Sequence, residues 1–281
     1  MTTMTTTTTE PTATAAPKTP ARGEVTQRRV FHSEWIKLWT LRSTFWTLIG
    51  SMVALVGLAV LFCALNESRW PQMSPHEQAT FDPSSTALGS SFFAQLAIGV
   101  LGVLTVTGEY ATGMIRASLG AVPRRLPVLW AKAGVFTAVV WVLMTVSSLV
   151  AFVVGQALLS PRHIGLSLSD PGALRTVVGT GLYLTVVGLL GVGIGAMLRN
   201  TAGGIATLFG ILLILPVLAE PLPSSWANAI DPWLPSNAGR AVFALHHAAH
   251  TLHPWAGFAV FLGYALAALA GAAVLLRRRD A

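Results

Sequence analysis

Six long apolar runs, nearly free of charged side chains, constrain this 281-residue chain more than any other feature. A helix needs about 20 consecutive apolar residues to cross the hydrocarbon core of a bilayer, and most of the runs reach that length. Because backbone polar groups cannot stay unpaired in lipid, each run is predicted to be a transmembrane helix. The predicted spans are 44–65, 87–107, 134–159, 176–198, 203–219 and 255–276.

The charge content supports a membrane protein. Only 10% of the residues are charged and 53% are hydrophobic, whereas a soluble domain carries about 25% charged residues. A chain of this length cannot hide so much apolar surface in a water-surrounded core, so lipid must solvate much of it. The single cysteine, Cys63, excludes an intrachain disulfide.

Two connections have local signals. The fourth and fifth spans are separated only by Arg199–Ala202, which predicts a tight helical hairpin. The fifth span is short and contains Pro216, which has no N–H to donate within a helix. Its outer end is therefore predicted to bend or unwind.

The region before the first span divides into two parts. Residues 1–26 are rich in Thr, Ala and Pro and are predicted to be a disordered tail without the apolar segment of a secretory signal. Residues 27–42 instead show helical periodicity. Their apolar members Phe31, Trp35, Leu38 and Trp39 are spaced i, i+4, i+7 and i+8.

This periodic stretch predicts an amphipathic helix. Its polar side is assigned to Arg28, Arg29, Glu34 and Lys37. Basic residues opposite Trp and Leu are typical of a helix that lies in the membrane interface, and the first span follows directly. An ordinary soluble amphipathic helix is the alternative. The predicted fold class is an all-α integral membrane protein with six transmembrane helices and an N-terminal interfacial helix, in one domain over residues 27–279.

The distribution of Lys and Arg predicts the orientation. If both termini lie inside the cell, 14 of the 18 cations fall on the inner side and 4 on the outer side. Cation-rich short loops stay in the cytoplasm, so we expect a multi-pass protein of the cell membrane with cytoplasmic N and C termini. In a soluble protein the net charge of +7 would suggest nucleic acid as a partner. Sidedness explains the charge better, and no nucleic acid partner is expected.

Glycines recur in the fourth span at Gly181, Gly188 and Gly195, with Gly191 between them. Small residues let helix backbones approach closely in lipid, which favours helix packing as their role. A substrate path or a hinge is the alternative.

Catalytic and metal motifs are weak. The chain has no P-loop to hold ATP phosphates, and no cofactor is expected on it. His246 and His250 are four residues apart and are weak candidates for zinc ligands, with solvated loop histidines as the more common situation. Gly89–Ser91 lacks the residues that flank a nucleophilic serine in hydrolases. The sequence therefore does not predict an enzyme.

Ionisable groups are missing from the centres of the predicted spans, and Glu109 lies only at the inner edge of the second. Proton pumps and ion-coupled carriers need such groups inside the membrane. Energy for any transport must therefore come from outside the spans, most simply from a cytoplasmic partner that supplies the energy by acting on the inner loops.

A long polar stretch with several cations, TGEYATGMIRASLGAVPRRLPVLWAK, connects the apolar runs of the second and third spans. It is predicted to form a short helix on the inner membrane surface, where Ile115 and Leu119 give an apolar ridge for a partner. Glu109 is expected to form an ion pair with Arg42 or Arg116. A solvated loop whose cations only set the topology is the alternative.

SEWIKLWTLRSTFWTL before and into the first span, the connection just quoted, and DPWLPSNAGRAVF in the last outer loop together resemble the permease subunit of bacterial ABC transporters of the type-2, or exporter, class. The resemblance covers about residues 27–279. It implies that the connection carries a coupling helix that docks on a separate ATPase subunit. The residues implied in coupling are Glu109, Tyr110, Thr112, Gly113, Ile115, Arg116, Leu119, Pro123 and Arg125.

The resemblance has further implications. It predicts a second permease copy, identical or a close paralogue, with ATP and Mg bound on the partner ATPase. It also places short re-entrant or outer-surface helices in the loop 220–254, closing the exit, with Trp233, Pro235 and Asn237 as candidates. A plain amphipathic surface loop is the alternative there.

Two other functions stay open at this point. One is a membrane enzyme or a metal-binding sensor that uses the outer-loop histidines, and the other is a purely structural subunit of a membrane complex. For the exporter, aromatic and charge-poor spans suggest an amphiphilic or hydrophobic substrate, such as a drug, a peptide antibiotic or a lipid.

Overall fold

The computed structural model of the chain describes residues 27–113, 126–245 and 251–278. These ranges are almost entirely helical, and no strand occurs in them. In chain order the α-helices are α1 (Gln27–Thr40), α2 (Arg42–Arg69), α3 (Pro75–Ala79), α4 (Pro83–Leu88), α5 (Ser91–Ala111), α6 (Leu126–Leu159), α7 (Ala173–Leu198), α8 (Thr201–Phe209), α9 (Leu215–Ala219), α10 (Ser224–Ile230), α11 (Pro235–Arg240) and α12 (Pro254–Arg278).

Six helical segments in the described ranges are long and apolar enough to cross a membrane. They are α2, α4 with α5, α6, α7, α8 with α9, and α12. The predicted all-α membrane fold with six spans is therefore confirmed.

Several helices extend beyond the predicted spans, because hydropathy marks only the part that matches hydrocarbon. The third span begins at Leu126 rather than at residue 134. The second span is preceded by α4, whose N-terminus is capped by Asp82, and the chain turns at Gly89 before α5 continues to Ala111. These extensions carry the polar residues described below.

Helix α7 forms the centre of the bundle. Its most apolar stretch is 89% buried, against 28% for α2 and α12 and 22% for the segment that contains α8 and α9. It packs against α5, α6 and α12, so its neighbours surround it on several sides.

The four predicted glycines lie where α7 approaches its neighbours most closely. A Cβ on Gly181 would lie 2.1 Å from Thr145 Oγ1 of α6, and one on Gly188 would lie 2.5 Å from the Phe136 ring. A Cβ on Gly191 would lie 2.6 Å from the Gly99 carbonyl oxygen of α5, and one on Gly195 would lie 3.0 Å from the Val103 carbonyl oxygen. Glycine thus lets α5 and α6 contact the backbone of α7 directly.

The fifth span contains a π-helical turn at Gly210–Ile214 between α8 and α9. Leu215 N–H donates to the Gly210 carbonyl oxygen, five residues back. The turn ends two residues before Pro216, which has no N–H to continue the α-helical pattern. The chain was predicted to bend or unwind at this end, and it instead stays helical with a locally wider turn.

Helix α1 packs beside α6 with its aromatic side chains turned outward. Phe31, Trp35 and Trp39 are exposed and Leu38 is half-buried, as suits a helix in a membrane interface. Glu34, which was assigned to the polar side of this helix, is buried and only 3% exposed. It faces the bundle, where it is paired with two cations.

Candidate functional site

Both described termini, the end of α5, the start of α6 and the α7–α8 hairpin lie at one end of the bundle, which we call the basic end. Contacts between Lys132 and Glu109, between Thr201 and Thr107, and between Gly271 and Met197 bring these segments together. The candidate functional site lies here, where α5 ends and α6 begins.

Four charged side chains form a compact ionic cluster at this end. Lys132 Nζ lies 2.6 Å from Glu34 Oε2 and 2.9 Å from Glu109 Oε1. Lys37 Nζ lies 2.7 Å from Glu34 Oε1 and 3.0 Å from Glu109 Oε1. Two cations and two carboxylates alternate, so the cluster is neutral and ties α1, α5 and α6 together.

Local helix geometry places these groups. Glu34 and Lys37 are one turn apart on α1 and therefore share a face. Glu109 lies in the last turn of α5, and Lys132 lies in the second turn of α6. The cluster thus lies where α5 ends and α6 begins, at the two ends of the α5–α6 connection.

The ionic cluster is mostly removed from solvent. Glu109 and Lys132 are 6% and 9% exposed. Burying charges costs several kcal/mol per ion unless each charge has close partners, and here each carboxylate meets two ammonium groups. Glu109 Oε2 is buried and has no hydrogen-bond partner in the described part of the chain, so one acceptor of the cluster is unused.

Lys37 is the most accessible member of the cluster. Burial alone lowers the pKa of Lys37, but the carboxylates of Glu34 and Glu109 outweigh this effect and raise the pKa above its ordinary value of 10.5. A raised lysine pKa preserves the charged form up to more alkaline pH. The side chain therefore stays an ammonium ion throughout the physiological range.

The predicted partners of Glu109 need correction. Its carboxylate pairs with Lys37 and Lys132 and makes no ion pair with Arg42, which is exposed at the start of α2. Arg116, the other predicted partner, lies outside the described residues. The Nζ atoms of Lys37 and Lys132 lie 3.0 and 2.9 Å from Glu109 Oε1, whereas the Arg42 side chain is exposed to solvent.

A groove of about 280 Å³ lies beside the ionic cluster, between α1, α2, α5 and α6. Its walls are mostly apolar and include Leu41, Thr47, Leu101 and Phe136. Glu109 and Lys132 line its charged part. An apolar groove with a polar edge is a shape that suits an amphiphilic molecule.

A second set of contacts joins the α7–α8 hairpin to the last turns of α5. The guanidinium of Arg199 lies over the ring of Tyr110, 5.2 Å from its centroid. Arg199 takes a left-handed backbone conformation with φ 54°, which ends α7 and reverses the chain as predicted. Thr201 Oγ1 donates to Thr107 Oγ1 at 2.9 Å. The end of α5 is therefore held from both sides.

The predicted coupling residues divide into two groups. Glu109 and Tyr110 lie in the contacts just described, and Thr112 and Gly113 are exposed where α5 ends. Gly113 has φ 72°, a conformation that glycine adopts at low cost, so the chain can turn sharply after α5. Outside the described residues lie Ile115, Arg116, Leu119, Pro123 and Arg125.

At the opposite end, the last loop forms short helices around the residues proposed as an outer gate. Trp233 is exposed, and its carbonyl oxygen accepts from the Tyr264 hydroxyl of α12. Pro235 is buried at the start of α11, and Asn237 Nδ2 donates to the Asp231 carbonyl oxygen at 3.1 Å. These contacts hold α11 and the turn before it against α12 at this end of the bundle.

The histidine hypothesis stays a prediction. His246 and His250 lie outside the described residues. In the ranges that are described, no group of three or more His, Cys, Asp or Glu side chains could hold a metal ion.

Sequence reasoning missed the ionic cluster as a unit. It assigned Glu34 and Lys37 to the polar side of α1 and counted Lys132 only as a determinant of topology. A usable signal was present, because Glu109 and Lys132 are opposite charges set just inside the two ends that flank one connection. Such a pair indicates mutual neutralisation within the membrane boundary.

The chain matches no protein-family model and no curated protein sequence. Its function is therefore argued from the resemblance of its motifs and from the geometry of the basic end.

Proposed function

We propose that this chain is the membrane-spanning subunit of an ATP-driven exporter of the type-2 ABC class. In this proposal it forms the translocation pathway with a second copy or a close paralogue, in the cell membrane with both termini in the cytoplasm. A separate ATPase subunit binds ATP and Mg and docks on the α5–α6 connection. The assignment to export follows from the motif resemblance alone.

The ionic cluster is the observation that carries the proposal. Its ion pairs link α1, α5 and α6 to one another at the two ends of the α5–α6 connection. A displacement of the connection by a partner would therefore move three helices together rather than bend one loop. Coupling between distant sites needs such a contiguous and rigid set of contacts.

The Arg199–Tyr110 contact extends the same path. It links the end of α5 to the α7–α8 hairpin, and α7 is the central helix of the bundle. Motion that begins at the connection would thus reach the helix that touches most of the others. This gives a route from a cytoplasmic motor to the pathway without any ionisable group at the centre of a span.

The test is to add a charge to the proposed docking ridge by Ile115→Asp and purify the tagged full-length chain from its native membrane. We expect the wild type to retain an ABC ATPase, identified by mass spectrometry, and the variant to lose most of it. A carboxylate in an apolar docking groove is costly to desolvate. Compound-stimulated ATP turnover should fall in parallel.

Leu168→Asp is the matched control, because Leu168 is an exposed apolar residue at the opposite end, in the connection between α6 and α7. It should leave ATPase recovery unchanged. The proposal is wrong if the wild type retains no ATPase, or if Ile115→Asp retains as much ATPase as Leu168→Asp while both variants elute as folded protein.

A further inference from the structure

A second cavity, of about 310 Å³, lies at the opposite end of the bundle, between the start of α5, the first half of α7 and the chain that follows α11. We call it the arginine cavity. Gln95, Tyr183 and Arg240 line its polar side, and Phe92 and Phe243 line its apolar side. None of these residues takes part in the coupling proposed above.

Gln95 lines this cavity and carries a side-chain donor that is not used. Its side chain is 1% exposed, and its Oε1 accepts a hydrogen bond from the Tyr183 hydroxyl. Its Nε2 is buried and has no hydrogen-bond partner in the described ranges. A buried amide N–H without an acceptor costs free energy, because it has lost its hydrogen bond to water. An acceptor supplied by a ligand would recover that cost.

Arg240 supplies a cation to the same cavity. Its guanidinium lies over the Phe92 ring, 5.9 Å from the centroid, and close to the Tyr183 hydroxyl. Among the described side chains no carboxylate lies within ion-pair distance of it. The guanidinium is therefore held in place by a ring rather than neutralised.

Asp82 is the acidic residue that lines the cavity. Its Oδ1 accepts from the backbone N–H groups of Ser84 and Ser85 and from the Ser84 hydroxyl, as the cap of α4. A capping carboxylate is stabilised by the helix N-terminus. Its charge is thus partly offset, and the groups offered to a ligand remain the donors on Gln95 and Arg240.

We propose that the arginine cavity binds the anionic oxygen group of a small amphiphile, a carboxylate or a phosphate, through Gln95 Nε2 and the Arg240 guanidinium. Guanidinium groups match such oxygens with paired hydrogen bonds. The apolar part of the ligand packs against Phe92 and Phe243. Because one water occupies about 30 Å³, the cavity holds roughly ten non-hydrogen atoms.

Octanoate is a probe of this size and charge. The test is titration calorimetry on the full-length chain in phosphatidylcholine nanodiscs, without ATP or an ATPase. We expect saturable binding of one octanoate per chain and no binding of octan-1-ol at the same site. The result does not depend on ATPase docking, so the two proposals can fail separately.

Gln95→Glu is the sharpest variant, since it keeps the shape and the acceptor for Tyr183 but replaces the N–H donors by an oxygen. Arg240→Gln removes the cation. Each should weaken octanoate binding roughly tenfold or more, as expected for the loss of a hydrogen bond to a charged group. Gln95→Met provides the same donor deletion without a buried charge if the Glu variant does not fold. Arg162→Gln, which removes a cation elsewhere at this end, should bind like the wild type.

The lipid composition of the nanodisc distinguishes two sources of the anionic group, a lipid headgroup and a soluble amphiphile. If phosphatidylglycerol in the nanodisc competes with octanoate in the wild type, the natural ligand is a lipid headgroup. If it does not compete, the ligand is a soluble amphiphile, and both results support the site. The proposal is overturned if the folded wild type shows no saturable octanoate binding, or if the folded Gln95 and Arg240 variants bind octanoate as tightly as the wild type.

Discussion

Lys132 is paired with two carboxylates, those of Glu34 and Glu109, and therefore shows how strongly the ionic cluster depends on each of its members. With Lys132 removed, Glu34 and Glu109 would share one ammonium group while nearly excluded from water. The penalty for an uncompensated buried charge is larger than the gain from an intact pair. The cluster is therefore a point where single changes are costly and compensating pairs of changes are tolerated.

Lys132→Met tests this directly. We expect it to destabilise the folded chain by about 3–5 kcal/mol, the range for removing one partner of a buried ion pair. The measurement is the unfolding temperature of the purified protein in detergent. Lys132→Met with Glu109→Gln should recover part of the loss, because that double change restores neutrality.

Arg162→Met is the control for Lys132→Met. It breaks an ion pair with Glu67 whose side chains are 39% and 31% exposed, and exposed pairs contribute only about 0–1 kcal/mol. Equal unfolding temperatures for Lys132→Met and Arg162→Met would contradict a stabilising role for the ionic cluster.

The spans were predictable as elements, whereas the cluster of four side chains was predictable only in its Glu109–Lys132 pair. Run lengths and low charge identified the six helices, because a bilayer imposes a minimum apolar length on any helix that crosses it. The partners of Glu109 depend on how three helices come together. Lys132 and Glu34 are 98 positions apart, a separation that leaves no periodic signal in one sequence.

The glycines of α7 show an intermediate case. Their spacing indicated close packing, but the sequence could not say which neighbour each one meets. In the structure Gly181 and Gly188 lie closest to side chains of α6, and Gly191 and Gly195 lie closest to the backbone of α5. A central helix needs small residues on more than one side, so its pattern is not that of a single interface.

Gly191→Ala is expected to lower the stability by about 1–3 kcal/mol, the usual cost of overpacking. Its new methyl group would lie 2.6 Å from the Gly99 carbonyl oxygen, and backbone cannot move aside as a flexible side chain can. Gly57→Ala on α2 is the matched control, since no atom lies within 4 Å of that position. The measurement is the unfolding temperature of each variant in detergent, which shows whether close packing requires glycine at position 191. The packing role fails if Gly191→Ala unfolds no earlier than Gly57→Ala.

The whole molecule has two chemically different ends. The start of α1, the end of α12, the ionic cluster and Arg199 lie at the basic end, and the arginine cavity and the short helices α10 and α11 lie at the other. Sidedness in the membrane decides which end can meet a cytoplasmic ATPase. The 14 to 4 division of Lys and Arg predicts that the basic end faces the cytoplasm.

Cysteine labelling in intact cells tests that orientation. Cys63 is fully buried, so the chain has little background reactivity toward a maleimide that cannot cross membranes. Thr112→Cys places a thiol at an exposed position beside the α5–α6 connection, and Leu168→Cys places one at the opposite end. We expect only Leu168→Cys to react in intact cells and both to react once the membrane is opened, because the reagent then reaches both faces. The reverse pattern would put the α5–α6 connection outside the cell, beyond the reach of any ATP-driven partner, and the proposed coupling would then be impossible whatever the stability of the ionic cluster.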